Sequence, residues 1–90
     1  MSQSLIPWIG VVAAMLTSLS YIPQVRKAWP RGSTADLSLT MLVVLTTGLS
    51  LWIGYGILKG DWVIVAANSV GGALSASILA FKVRDMRSPR

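Results

Sequence analysis

The chain has 90 residues, of which 53% are hydrophobic and 12% are charged. Soluble domains carry about 25% charged residues, so this composition is typical of a membrane protein, and the length allows only one domain. The chain has no Cys and no His, which excludes disulfides, thiol nucleophiles, imidazole bases and the usual zinc ligands. The net charge of +5 comes from short basic clusters between apolar runs, which favours contact with anionic lipid over nucleic acid.

The first predicted transmembrane helix covers about residues 5–28. No Lys or Arg precedes Leu5, so the basic start of a secretory signal peptide is missing and we expect a permanent span. Within this span Pro23 and Gln24 stand side by side. Pro23 has no N–H to donate to the carbonyl of Leu19, and in lipid a freed carbonyl needs protein or water as its partner. The pair therefore indicates either a hinge beside a polar cavity or a simple helix end.

Three hydroxyl side chains also lie in the first span, namely those of Thr17, Ser18 and Ser20. Small residues and hydroxyls are typical of a close contact between helices, where the hydroxyls bond across the contact. The alternative interpretation is that these side chains line a polar pocket.

The second predicted helix covers about residues 37–58, and Asp36 or Ser38 is suited to cap its first turn. One face of this helix carries residues at spacings of four, three and four: Gly48, Trp52, Tyr55 and Lys59. Trp52 is either an anchor at the membrane interface or a deeper side chain that faces a polar path.

A very short connection near residue 60 leads to the third predicted helix, about residues 62–81, so these two helices are expected to be antiparallel neighbours. Asn68 lies about two turns into the third helix, where a carboxamide needs either a neighbouring helix or a ligand as its partner. Trp52 and Asn68 are equally far from the turn, at about 12 Å. An indole and a carboxamide at one depth suit a sugar, because sugar C–H faces stack on rings and sugar hydroxyls bond to amides.

The distribution of Lys and Arg predicts the orientation of the chain. Only Lys59 lies on one side of the membrane, and the first loop and a basic tail, residues 82–90, lie on the other. That second side carries seven basic residues: Arg26, Lys27, Arg31, Lys82, Arg84, Arg87 and Arg90. We therefore expect the N-terminus outside the cell and the C-terminus in the cytoplasm.

Three helices pack into a filled bundle that is too small to enclose a polar path. Two copies could surround one, each contributing the same indole and carboxamide. Because both copies must share one orientation, their two-fold axis would run along the membrane normal, as in a transporter built from parallel repeats.

Together these features resemble the bacterial SemiSWEET sugar transporters of the wider PQ-loop/MtN3 group. The resemblance covers nearly the whole chain. The residues that carry it are Tyr21-Ile22-Pro23-Gln24, the Ser33-Thr34…Ser38 loop, Trp52, Tyr55 and Asn68. It implies an all-α bundle of three transmembrane helices, the third packed between the first two, that forms a parallel homodimer in the bacterial inner membrane. It further implies transport of a mono- or disaccharide, glucose or sucrose, down its gradient by alternating access, with no cofactor and no metal.

The resemblance also assigns roles to single residues. Trp52 and Asn68 would hold the sugar midway across the membrane, and Pro23 with Gln24 would be the hinge of a rocking motion. The gates would lie at the two mouths, with Tyr55, Lys59 and Asp61 at the outer one and Met41 at the inner one. Asp61 follows Lys59 closely enough to pair with it.

Two other functions remain open. A proton-coupled PQ-loop amino-acid transporter needs an acidic group within a span, whereas Asp36, Asp61 and Asp85 are all predicted in loops or in the tail. A small membrane subunit that transports nothing accounts for the small residues, but not for Trp52 and Asn68 at one depth. An enzyme is disfavoured, because no base and nucleophile are paired within the spans.

Overall fold

The computed structural model describes residues 5–87, and the regular elements within that range are three helices. Helix α1 covers Ile6–Ala28, α2 covers Leu39–Lys59 and α3 covers Trp62–Arg87. Each helix is long and apolar enough to cross a membrane, which confirms the predicted all-α architecture with three spans. The first residues of the chain and the end of the predicted tail, including Arg90, lie outside the described residues.

A short turn joins α2 to α3, and we call this end of the bundle the turn end. Gly60 has a φ of 70°, a left-handed conformation that glycine adopts without strain. Its N–H donates to the carbonyl of Ile57 (3.1 Å), and the N–H of Asp61 donates to the carbonyl of Gly56 (2.9 Å). The carboxylate of Asp61 then caps α3 by accepting from the N–H of Ile64 at 3.2 Å. This turn makes α2 and α3 antiparallel neighbours, as predicted.

The loop between α1 and α2, residues 29–38, lies at the opposite end of the bundle, which we call the loop end. Of the two predicted caps for α2, Ser38 is the one used, because its hydroxyl accepts from the N–H of Met41 at 3.1 Å. Asp36 instead accepts from the ammonium group of Lys27 at 2.6 Å.

Helix α3 lies between the other two helices, and the Cα atoms of α1 and α2 stay more than 8 Å apart. This arrangement confirms the helix order that the resemblance implies. Glycine allows the closest approaches to α3. A Cβ at Gly56 of α2 would lie 2.9 Å from the side chain of Ile64, and one at Gly10 of α1 would lie 3.1 Å from that of Val63.

The buried core is small and lies toward the loop end, where Ala28, Leu42 and Ile78 are at most 2% exposed. Next to it, the hydroxyl groups of Thr46 and Ser75 share a hydrogen bond of 2.7 Å between α2 and α3. Many large apolar side chains elsewhere are exposed, as is expected of surfaces that meet lipid or another protein.

The third helix is longer than the span predicted for it, which covers about residues 62–81. Helix α3 continues beyond Phe81 to Arg87, so most of the stretch expected to be a tail is helical, including Asp85. The physical reason is that Lys82, Arg84 and Asp85 all bond to residues 28–34, which holds the last turns of α3 against the loop end.

Candidate functional site

The packing of α2 on α3 fixes the relative depth of their residues. Gly56 contacts Ile64 near the turn end, and Thr46 bonds to Ser75 farther from it. Because the helices are antiparallel, residues at one depth have numbers whose sum is constant, and here it is 120 or 121. Trp52 of α2 is therefore level with Asn68 of α3, as the sequence spacing predicts.

One face of α2 carries four of the eight predicted site residues. Its residues are Met41, Leu45, Gly48, Trp52, Tyr55 and Lys59. This stripe lies about a quarter-turn from the side of α2 that packs on α3. The rings of Trp52 and Tyr55 meet edge to face, with centroids 5.4 Å apart and an interplanar angle of 89°. Trp52 is 53% exposed and Tyr55 is 49% exposed, so both rings present free faces beside the bundle.

A notch between α1 and α2 lies beside this stripe. Gly71 of α3 forms its floor, because a Cβ there would lie 3.6 Å from Tyr21 of α1 and 3.8 Å from Leu49 of α2. Since α2 runs opposite to α1, helix geometry turns the α2 stripe and one small, polar face of α1 toward the notch. That face of α1 consists of Ala13, Thr17, Ser20 and Gln24.

The three hydroxyl residues of α1 lie on two sides of the helix. Thr17 and Ser20 lie on the side of the notch, and the Ser20 hydroxyl donates to the carbonyl of Thr17. Ser18 lies on the other side of α1, in an apolar groove against Ala67 and Val70 of α3.

Asn68 lies on the side of α3 that faces α2, since it is one turn from both Ile64 and Gly72, which contact α2. Its side chain is half-buried and donates from Nδ2 to the carbonyl of Ile64 at 2.8 Å. This bond uses one of the two donor hydrogens of the amide. The other hydrogen and the amide oxygen can still bond to a ligand or to a second helix.

Helix α1 continues through the predicted hinge. Pro23 lies inside the helix and not at its end, and the helix runs on to Ala28. The carbonyl of Leu19 therefore lacks the intrahelical partner that any other residue at position 23 would provide. Pro23 and Gln24 are both exposed, so a neighbouring molecule can contact α1 where its hydrogen bond is missing.

The predicted outer gate lies at the turn end, but its two charged members are not paired in the structure. Asp61 is engaged as the cap of α3, and Lys59 is exposed. Within residues 5–87 the ion pairs are Lys27 with Asp36 and Arg84 with Asp85. Met41, the predicted inner gate, is 51% exposed at the far end of the stripe.

The bonds of Lys82, Arg84 and Asp85 to the loop end were missed from sequence. These residues were expected in the tail, and their partners are mostly backbone groups about fifty positions earlier in the chain, which leave no pattern of side chains to read. Among the described residues, no group of His, Cys, Asp or Glu is placed to hold a metal ion.

The chain was compared with known proteins. The family model described as PQ loop repeat matches residues 5–65. A protein of Bradyrhizobium diazoefficiens named "Sugar transporter SemiSWEET" is 42% identical over 84 residues, which cover 93% of this chain and 98% of that protein. A protein of the same name from Leptospira biflexa is 39% identical over 86% of this chain and 91% of that protein. Another from Escherichia coli is 32% identical over 87% of this chain and 88% of that protein. No solved structure matches the chain significantly.

Proposed function

The chain belongs to the PQ-loop repeat family, and we propose that it is a sugar transporter of the SemiSWEET kind. Its similar proteins carry the names of transporters and not of enzymes. With three helices that can each cross a membrane, the chain is a multi-pass membrane protein. The specific proposal is that it moves a mono- or disaccharide, glucose or sucrose, down the gradient of that sugar.

The observation that carries this proposal is the common depth of Trp52 and Asn68. The free face of the indole would stack on the C–H face of a sugar ring, and the amide of Asn68 would bond to sugar hydroxyls. Neither group is charged, which suits an uncharged polyol in a low-dielectric setting.

A second copy of the chain would complete the site. In one chain Trp52 and Tyr55 lie on an open side of the bundle, half-exposed, and α1 does not reach across to cover them. In a parallel homodimer the two stripes of α2 would face a common path, and each copy would contribute one Trp52 and one Asn68.

Transport would proceed by alternating access. Pro23 and Gln24 would form the hinge, since the helix lacks one hydrogen bond there. Tyr55, Lys59 and Asp61 would close the outer mouth at the turn end, and Met41 would close the inner mouth. The ion pair between Lys59 and Asp61 would then form only in a closed state, because Asp61 caps α3 in the present one.

The loop end would face the cytoplasm of a bacterial inner membrane. The basic residues of the described chain support this orientation, because all except Lys59 lie toward that end. The N-terminus would then be outside and the C-terminus inside.

The test is uptake of labelled glucose and sucrose by the purified protein in liposomes, with no gradient of protons or sodium. We expect uptake of at least one sugar, and a loss of about fivefold in Trp52→Ala because a ring contact of roughly 1 kcal/mol is removed. Trp8→Ala is the matched control, since Trp8 is similarly exposed but lies on the outer face of α1.

Other outcomes identify the alternatives. Uptake of labelled amino acids that requires a proton gradient, together with no uptake of either sugar, would favour the amino-acid transporter. A dimer that carries neither sugar would favour the subunit without transport activity.

A further inference from the structure

Arg84 of α3 holds the end of α1 through its backbone. Its guanidinium group donates to three successive carbonyls, those of Ala28 at 3.2 Å, Trp29 at 2.8 Å and Pro30 at 3.0 Å. The last carbonyls of a helix have no partner within it, and a cation near them is favoured by the helix dipole. Arg84 therefore caps α1 from a different helix.

Asp85 holds the loop that follows. Its carboxylate accepts from the N–H of Gly32 (3.0 Å) and from the N–H and hydroxyl of Thr34 (3.2 and 2.7 Å). Lys82 adds a bond of 2.9 Å to the carbonyl of Thr34, and Arg84 pairs with Asp85 at 2.9 Å. Thr34 is fully buried and the Asp85 side chain is 10% exposed, so these bonds are shielded from water. We call Lys82, Arg84 and Asp85 the loop clamp.

Before Pro23, the described residues of α1 contact α3 through apolar groups and make no hydrogen bond to it, as where Gly10 approaches Val63. Among the described residues of α1 as a whole, Ala28 is the one that is buried, and it lies directly at the loop clamp. Toward the turn end, α1 borders an apolar groove of about 490 Å³ against α3. Pro23, with its missing hydrogen bond, stands between the part of α1 that is held by hydrogen bonds and the part that is held by apolar contacts.

We propose that the loop clamp joins residues 24–34 and the last turns of α3 into one rigid unit, against which the remainder of α1 pivots at Pro23. This inference rests on the proposed function, in which α1 bends during transport. Arg84 and Asp85 are positioning residues, since they bond to the end of α1 and to the loop and lie far from Trp52 and Asn68. Without the loop clamp, bending at Pro23 would move the end of α1 and the following loop relative to α3, and α3 would not move with them.

Distances between pairs of spin labels test this unit, because the chain contains no native cysteine. One pair, Arg26→Cys with Met86→Cys, lies on exposed positions within the proposed unit. The other pair, Val12→Cys with Val70→Cys, reports on the part of α1 before the pivot. Labelled chains are diluted with unlabelled chains so that only distances within one chain are measured. We expect a single narrow distance for the first pair with and without sugar, and a distance that changes with sugar for the second.

Asp85→Asn is the decisive variant, and Asp36→Asn is its matched control. Both remove one negative charge at the loop end, but Asp36 is exposed and bonds to Lys27. Asp85→Asn should broaden the distance of the first pair and lower the maximal uptake rate about tenfold, with the half-saturating sugar concentration changed by less than about twofold. Asp36→Asn should change neither quantity. Thr34→Val removes only the hydroxyl bond to Asp85 and should broaden the first-pair distance less. This variant replaces Asp85→Asn in the test if Asp85→Asn does not assemble.

Two results would overturn the rigid unit. One is a narrow first-pair distance in both Asp85→Asn and Thr34→Val, and the other is a first-pair distance that changes with sugar in the otherwise unaltered chain. The measurement without sugar does not depend on transport. A chain that carries no sugar would therefore refute the proposed function, while the label distances would still decide on the clamp.

Discussion

The α2–α3 hairpin and helix α1 are built from apolar helices of similar length, yet they are fixed in different ways. Helix α2 packs on α3 from Gly56 at the turn end, through Thr46 and Ser75, to Leu42 at the loop end. Helix α1 is hydrogen-bonded to α3 at Ala28, whereas before Pro23 it contacts α3 through apolar groups that border an open groove. The apolar pattern thus decides which segments can cross the membrane, whereas glycines and polar side chains at helix ends decide how each of them is fixed to its neighbour.

The largest expected effect is the loss of the close contact that fixes the hairpin. In Gly56→Ala the new methyl group would lie 2.9 Å from the Ile64 side chain and 3.0 Å from that of Val65. Both neighbours are branched at Cβ and cannot turn away easily, so the helices must separate. We expect the free energy of unfolding in mixed micelles to fall by about 1–3 kcal/mol.

Gly54→Ala is the control for this change. A Cβ at Gly54 meets nothing within 4 Å, so only the gain in helix propensity remains, and stability should be unchanged or slightly higher. Equal effects of the two substitutions would mean that the hairpin is not fixed by close packing at Gly56.

A smaller effect is expected when Pro23, the proposed pivot of α1, is replaced. Pro23→Ala restores an N–H that can bond to the carbonyl of Leu19, which straightens and stiffens the helix. Under the proposed function, sugar uptake should fall severalfold while the stability of the protein stays the same or rises. Pro7→Ala is the control, because Pro7 lies in the first turn of α1, where a proline removes no helix bond. If both substitutions left uptake unchanged, bending at Pro23 would not limit transport.

The same contrast explains how much could be predicted from the sequence. The three spans and the equal depth of Trp52 and Asn68 follow from the apolar runs and from the short turn, because both are local features. The hydrogen-bond partner of Asp61 could not be predicted from its closeness to Lys59 in the sequence. The backbone N–H of Ile64 competes with Lys59 for the same carboxylate. The loop clamp was missed because basic residues after an apolar run are typical of a tail, and only the fold brings Arg84 to the end of α1.

The smallest expected effect concerns the second ion pair at the loop end. The ammonium group of Lys27 bonds to Asp36 and holds the pKa of that carboxyl below its usual value. Because the pKa of Asp36 is lower in the folded than in the unfolded protein, ionised Asp36 stabilises the fold at any pH above its unfolded pKa. This stabilisation is lost as the pH falls below about 4 and passes through the lower, folded pKa. The two side chains are 59% and 62% exposed, so water and salt screen the pair.

We therefore expect Lys27→Ala to leave stability, sugar uptake and label distances unchanged at pH 7, in contrast to Asp85→Asn. A small difference in stability from the unaltered protein is expected at most at low salt, and it should shrink as the pH falls below about 4, because protonation of Asp36 removes the ion pair. Unfolding measured at pH 7 and pH 3 in low and high salt checks this. A large loss at pH 7 would mean that the exposed pair, and not only the loop clamp, anchors the end of α1 to the bundle.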